Sequence, residues 1–311
     1  MDPRQLRVLV ELAELGTLRA VAAANGYGTS AVSQQLAGLE RAVRARLVEP
    51  DGRRLRLTPA GHKLLPHARR ILTAIDAAAA GLAADAEPSG TIRVAAYGTA
   101  LAADLLPVAL ELRTSHPALR LELQEREPAE TMRLLRTGQI ELGFTYNYSL
   151  VPRQIDPMTV GQVLCGVPMM LAVPRAAATP MGPVRPQRIR DSGDLAALRA
   201  APWIVNSRGE DDDELARRFC ALAGFEPDVT HRVDNLDVVQ QLVAAGLGVG
   251  LVPALVRPHP GTRLVPITLA PLVRRMLAVT RAGHADWPAT ALVSRLVAER
   301  ARGHLRAIGE G

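Results

Sequence analysis

Residues 17–43 read TLRAVAAANGYGTSAVSQQLAGLERAV, two short helical stretches joined at Asn25-Gly26. Asparagine and glycine both tolerate the positive φ that a tight turn between helices requires. At about 100° per residue, Val32, Leu36, Leu39 and Val43 fall on one edge of the second stretch, the spacing of a core-facing stripe. The opposite edge carries Ser30, Gln34, Ala37 and Arg41, with Ser33 beside them. Hydroxyl, amide and guanidinium groups on a helix suit the base edges and phosphates of a DNA major groove. Taken alone, such an edge equally fits a solvated helix face, so the flanking sequence has to decide.

Upstream, Asp2-Pro3 is a helix start, a capping side chain followed by proline at the first helical position. Leu6, Leu9, Val10 and Ala13 form the expected buried face of that first helix. Gly16 ends it, Thr17 caps the second, and the third begins near Thr29. Three helices with a turn of this length predict a helix-turn-helix head. Downstream, residues 44–58 (RARLVEPDGRRLRLT) change to a period of two. Pro50-Asp51-Gly52 signals a turn, and Leu55 and Leu57 alternate with Arg54 and Arg56, as in a two-stranded ribbon. Arg53 and Arg54 at its tip would contact the DNA backbone or minor groove beside the third helix, the arrangement of a winged helix-turn-helix.

Thr58-Pro59 opens a long helix to about residue 85, in which Pro66 predicts a bend. Along it Leu64, Ala68, Ile71, Ile75, Ala78 and Leu82 repeat at alternating steps of four and three. That heptad seam predicts dimerisation, which would set two third helices on a two-fold symmetric site.

Charge supports the same division. Residues 1–70 hold twelve basic and six acidic side chains, leaving +6, which is the net charge of all 311 residues. A basic head on a neutral body is the electrostatic footprint of nucleic-acid binding. No run of about 20 uncharged apolar residues occurs, so neither a signal peptide nor a membrane span is expected and the protein is placed in the cytoplasm. Cys165 and Cys220 are far apart and lack companions at metal-ligand spacing, so neither a structural disulfide nor a metal site is expected.

The chain resembles the LysR-type transcriptional regulators. The residues that carry the likeness are RQLRVLVELAELGTLRAVAAANGYGTSAVSQQLAGLERAV, then RLVEPDGRRLRLTPAGHKLLPHARRIL, and later VAAGLGVGLVP. It departs from the family pattern at Arg44 (usually Gly), Val48 (usually Phe), Pro50 (usually Arg) and Gly28-Thr29-Ser30 (commonly Ser-Gln-Pro). The resemblance implies that Thr29, Ser30, Ser33 and Gln34 lie at DNA; the unusual start of that helix leaves the bases they read open.

After a short linker at 87–90, the body alternates strands and helices. Strands at 91–97, 120–125 and 141–146 interleave with helices to give a βαβαβ order and a mostly parallel sheet. A second unit follows, with strands at 167–173, 203–205, 228–233 and 248–252. Strand 273–280 and the terminal helix return to the first. The resemblance implies a periplasmic-binding-protein-like effector domain of two lobes with a ligand cleft between them. The fold class is therefore α/β overall: an all-α winged helix-turn-helix at 1–58, a dimerisation helix at 59–86 and an effector-binding domain at 87–311. Its lobe I spans about 91–163 and 269–306, and its lobe II about 164–268. Effector contacts implied by the family fall on Gly98, Thr99 and Ala100, on Thr145, Tyr146 and Asn147, and on Ser207 and Arg208. Acidic residues 210–214 directly after Arg208 read as dipole complements on a solvated helix face; if they faced the ligand they would disfavour an anion.

Enzyme motifs are missing. Gly246-Leu247-Gly248-Val249-Gly250 follows a helix and precedes a strand, the reverse of a dinucleotide loop, and no GxSxG, HExxH or P-loop occurs. The expected partners are double-stranded DNA, a small-molecule effector, further copies of the chain as a homodimer or homotetramer, and RNA polymerase; no cofactor and no membrane partner is expected. A solute-binding protein, which the two lobes alone would suggest, is disfavoured by the basic head, and an enzyme with a regulatory head by the missing catalytic constellation.

Overall fold

The computed structural model describes residues 1–52, 54–83, 87–152, 159–175, 184, 186–205 and 210–309. The chain divides into two compact units, one of Met1–Phe144, Ile155–Gln162 and Ala278–Val297, the other of Thr145–Gln154, Val163–Leu277 and Ala298–Gly311.

The first unit begins with helices α1 (Pro3–Leu15), α2 (Leu18–Asn25) and α3 (Thr29–Val43). Asp2 caps α1 by accepting from the Arg4 amide, and Gln5 returns the bond to the Asp2 amide. Gly16 and Gly26 end α1 and α2 in the left-handed conformation. The buried face of α1 is Leu6, Val8, Leu9, Val10 and Leu12. Ala13 is exposed instead, and its expected place is taken by Glu11, 2% exposed. Asn25 Nδ2 donates to Glu11 Oε2 at 2.6 Å and so ties the end of α2 to α1. Burial holds the Glu11 carboxyl above its usual pKa, against the lowering effects of the Asn25 hydrogen bond and the Arg7 charge.

Strands β1 (Val48–Asp51) and β2 (Arg54–Leu57) form the antiparallel wing, with Val48 opposite Leu57 and Asp51 opposite Arg54. Pro50 and Asp51 thus lie in β1, and the turn begins at Gly52, whose φ is 59°. The Leu55 amide donates to the Gly16 carbonyl at 2.8 Å, which pins the wing to the turn between α1 and α2.

Helix α4 (Pro59–Ala83) runs on through Pro66. Its glycine at 61 permits close contact, since a Cβ there would lie 2.2 Å from the Leu47 carbonyl oxygen. The heptad seam divides along this helix. Ala68 is fully buried among Leu6, Leu9, Val10, Leu39 and Leu47, and Leu64 packs against the same cluster. The head itself covers those two positions, so the stripe open to a partner starts at Ile71 and not at Leu64. Ile71 and Ile75 are 39% and 43% exposed, Ala78 is exposed, and the Leu82 side chain lies outside the described residues.

The α/β part of this unit has β3 (Gly90–Ala96) between β4 (Leu119–Glu125) and β5 (Leu142–Tyr148), parallel to both. After β3 come a single turn α5 (Gly98–Ala100), a π-helical turn Leu101–Leu105 and α6 (Leu106–Ser115). Helix α7 (Pro128–Thr137) joins β4 to β5.

Strand β6 (Thr159–Pro174) is sixteen residues long and, like β5, has residues in both units. In the second unit it pairs antiparallel with β9 (Val249–Pro253) and with β10 (Thr262–Pro266). Strand β7 (Pro202–Val205) is parallel to β8 (Asp228–Arg232) and to β9. The parallel order expected of the first three strands of the α/β part is present in β3, β4 and β5, while the second unit mixes parallel and antiparallel pairs. Helices α8 (Ser192–Ala196), α9 (Glu210–Ala221) and α10 (Leu236–Ala244) belong here, and β11 (Val273–Arg281) and α11 (Pro288–Gly309) complete the chain. Ala172, Ile204, Val239, Val243 and Val252 form one core cluster of this unit. The glycine run before β9 has a packing cause: a Cβ at Gly248 would lie 2.8 Å from the Pro202 carbonyl oxygen, and one at Gly250 3.0 Å from that of Ile204.

Candidate functional site

The head presents α3 as the pattern requires. Val32 and Leu39 are fully buried and Leu36 is 5% exposed, whereas Thr29, Ser30, Ser33, Gln34 and Arg41 are all exposed. Gly28 stands at the N-cap without a capping side chain, leaving the positive end of the helix dipole available to a phosphate. Arg41 Nε donates to the Ala37 carbonyl at 3.3 Å, which lays the guanidinium along the helix. Arg54 is exposed on the wing, and Arg53 lies outside the described residues. Tyr27, 62% exposed in the turn before α3, was not among the sequence candidates.

The corner after β3 places Gly98 half-buried, Thr99 exposed and Ala100 at 2% exposure. Gly98 is required by close approach, because a Cβ there would meet Glu125 Oε1 at 2.9 Å.

Thr145, Tyr146 and Asn147 lie in the last residues of β5, which continues to Tyr148. Alternation along a strand sends Tyr146 to the face opposite Thr145 and Asn147. Tyr146 instead shares its face with Tyr148, their ring centroids 5.5 Å apart, and the Arg274 guanidinium stands 5.4 Å from the Tyr146 centroid. Tyr148 donates to Asp212 Oδ1 at 2.7 Å. Burial, reinforced by the Asp212 charge, pushes the Tyr148 phenol well above its ordinary pKa, so it is held as a donor. Asn147 Oδ1 is buried and accepts no hydrogen bond among the described residues. Tyr148, Arg274 and Asp212 are thus the polar groups that were missed; only the Tyr146/Tyr148 alternation was visible locally.

Ser207 and Arg208 lie outside the described residues. The acidic run that follows is divided: Asp211 is 8% exposed and Asp212 half-buried, whereas the Glu214 side chain is 41% exposed. Asp212 accepts from Tyr148, Asp213 pairs with Arg232, and Glu214 pairs with Arg218 at 2.5 Å. Arg218 also donates to the Leu150 carbonyl at 2.8 Å. Cys220 is fully buried, and burial with the nearby Glu226 charge pushes its thiol up to about 12; Cys165 is 8% exposed. No group of three or more His, Cys, Asp or Glu among the described residues is arranged to hold a metal ion. No helix among them is long and apolar enough to cross a membrane.

A winged helix-turn-helix with an exposed polar recognition face, joined by one long helix to an α/β body, defines a DNA-binding regulator with a sensory domain. Residues 3–62 match the family model for the bacterial regulatory helix-turn-helix protein, lysR family, and residues 85–302 that for the LysR substrate binding domain. The chain belongs to the LysR family of transcriptional regulators. It is 29% identical over 255 residues, 81% of each chain, to the transcriptional dual regulator GltC of Bacillus subtilis. It is 38% identical over 138 residues to a probable hydrogen peroxide-inducible genes activator of Mycobacterium xenopi, covering 44% of this chain and 72% of that one. Among solved structures, CbnR, a LysR family transcriptional regulator, is 27% identical with a TM-score of 0.50, covering 96% of this chain and 100% of the other.

Proposed function

We propose that α3 enters the major groove, with Thr29, Ser30, Ser33 and Gln34 at base edges. Arg41, Arg53, Arg54 and Tyr27 engage the flanking phosphates. The observation that carries this is the division of α3 into a buried Val32/Leu36/Leu39 edge and an opposite edge of exposed polar groups. Residues 1–58 then form the DNA-binding domain, 59–86 the dimerisation helix and 87–311 the effector domain. Pairing through Ile71, Ile75, Ala78 and Leu82 presents two heads to a two-fold site.

A small molecule bound in the effector domain shifts the populations of head arrangements, and with them DNA bending and contact with RNA polymerase. Candidate contacts are Gly98, Thr99, Ala100, Thr145, Asn147, Ser207 and Arg208, with Tyr146, Tyr148 and Arg274 as an alternative set on the other face of β5. The protein acts in the cytoplasm and carries out no catalysis. The peroxide named for the Mycobacterium xenopi relative would need an accessible thiol of low pKa. The depth of Cys220 and its raised pKa argue against oxidation at that thiol.

Fluorescence anisotropy with duplexes from DNA flanking the coding region tests the reading. Binding should exceed that to random duplex at every salt concentration, and log K should fall linearly with log salt. Equal affinity for both duplexes throughout would refute sequence-specific recognition.

A further inference from the structure

Helix α1 carries a second stripe besides the one that builds the core of the head. Arg7, Val10 and Glu14 follow one another at steps of three and four, so they stand on one face of the helix. That face meets the effector domain. Arg7 and Val10 of α1, Arg69 and Leu72 of α4, and Arg136 and Gly138 at the end of α7 line a common cavity within the first unit. Glu14 crosses between them, its side chain only 14% exposed. Its Oε1 accepts from Arg69 Nη2 at 2.7 Å and from Arg136 Nε at 2.8 Å, and its Oε2 accepts from Arg136 Nη2 at 3.1 Å.

The two arginines belong to different parts of the chain. Arg69 is on α4, which completes the core of the head through Leu64 and Ala68, so its pair with Glu14 is internal to the head. Arg136 is in the last turn of α7, between β4 and β5 of the α/β part, so its two bonds fasten the head to the effector domain. A guanidinium that grips both oxygens of one carboxylate fixes orientation as well as distance. Two turns earlier on α1, Arg7 Nη1 lies 3.4 Å from where a Cβ of Gly138, the cap of α7, would be, and its charge suits the negative end of that helix. The Arg7 charge also acts on Glu11, so Glu14 is the more specific tie. With α1 held in this way, Thr29, Ser30, Ser33 and Gln34 of α3 stay exposed. The contact therefore leaves the polar edge of α3 open and fixes the direction in which it points.

We propose that the Glu14–Arg136 clasp is the contact through which the effector domain holds its own head in one direction, and that in a dimer it thereby restricts the spacing of half-sites the two heads can occupy. The clasp itself does not depend on the DNA reading proposed above; its effect on spacing does. Both partners gain water once α1 and α7 separate, so the clasp can open without stranding a buried charge.

Hydrogen–deuterium exchange of the full-length protein without DNA tests the clasp, in the wild type, Glu14→Gln, Arg136→Gln and the double variant. Each substitution should speed exchange in the helix across the contact, Glu14→Gln in residues 128–138 and Arg136→Gln in residues 3–15. The acceleration should be roughly tenfold, the worth of a charge-assisted hydrogen bond, and the double variant should go no further. Arg56→Gln, on the wing, should leave both segments unchanged. No acceleration, acceleration confined to the substituted helix, or effects that multiply in the double variant would overturn the clasp, since each is what separate local changes produce. Duplex selection from a random pool reads the consequence: the wild type should enrich paired half-sites at one spacing, and the double variant the same half-sites at several. One identical spacing in both would overturn the role in spacing. A wild type that enriches no motif would refute the DNA reading, and the spacing role with it, while the exchange result still decides the clasp.

Discussion

Arg44 closes α3 from the left-handed region, at φ 53°, with its amide donating to the Arg41 and Glu40 carbonyls. A side chain with a Cβ costs about 1–2 kcal/mol there, while glycine loses more freedom on folding. Arg44→Gly should therefore raise stability by about 0.5–1 kcal/mol, seen as a higher denaturant midpoint at unchanged m; a lower midpoint would contradict this reading of the cap. Glu11 gives a prediction of opposite chemistry. Its folded pKa lies above its unfolded one, because burial outweighs the Asn25 hydrogen bond and the Arg7 charge. The folded state thus holds the proton more tightly, and the resulting stability is full below the unfolded pKa and lost as pH rises through the folded one. Glu11→Gln keeps an acceptor for Asn25 and should melt above the wild type at pH 8, with the difference closing as pH falls into the ordinary carboxylate range. A difference that grows in acid would show that the charge itself is stabilising.

At the scale of elements, α4 makes two kinds of contact with one repeating stripe. Leu64 and Ala68 complete the core of the head, while Ile71 and Ile75 remain exposed. Burying an isoleucine contributes about 1.5–3 kcal/mol, so Ile71→Asp with Ile75→Asp should weaken dimerisation by two orders of magnitude or more in sedimentation equilibrium. Circular dichroism should stay unchanged, because neither residue serves the intrachain core. An unaltered dimer would move the interface elsewhere. The heptad was legible in the sequence, but its division was not, because periodicity shows that a stripe is covered and not by what. The same limit explains the other misses. The acids of α9 find Tyr148 and Arg232, and β6 finds β9 and β10, across long stretches of chain that no local pattern encodes. Local signals served well where the contacts are local: the Asp2 and Thr17 caps, the Gly16 and Gly26 terminations, the two-stranded wing and the alternation of strands with helices.

For the molecule as a whole, the division of charge, the three-helix head with its wing, and the substrate-binding-like domain agree on a DNA-binding transcriptional regulator. Ligand control should appear as stabilisation, about 2.7 kcal/mol at one hundred times Kd, with the ligand recovered unchanged. The central claim concerns α3, and duplex selection from a random pool tests it most directly, run in parallel on the wild type and Gln34→Ala. The account predicts that the wild type enriches an inverted repeat and that Gln34→Ala relaxes preference at one symmetric position in each half-site, with discrimination there reduced by about 1–3 kcal/mol. Enrichment of no motif by the wild type, or of an identical motif with identical discrimination by both proteins, would contradict it.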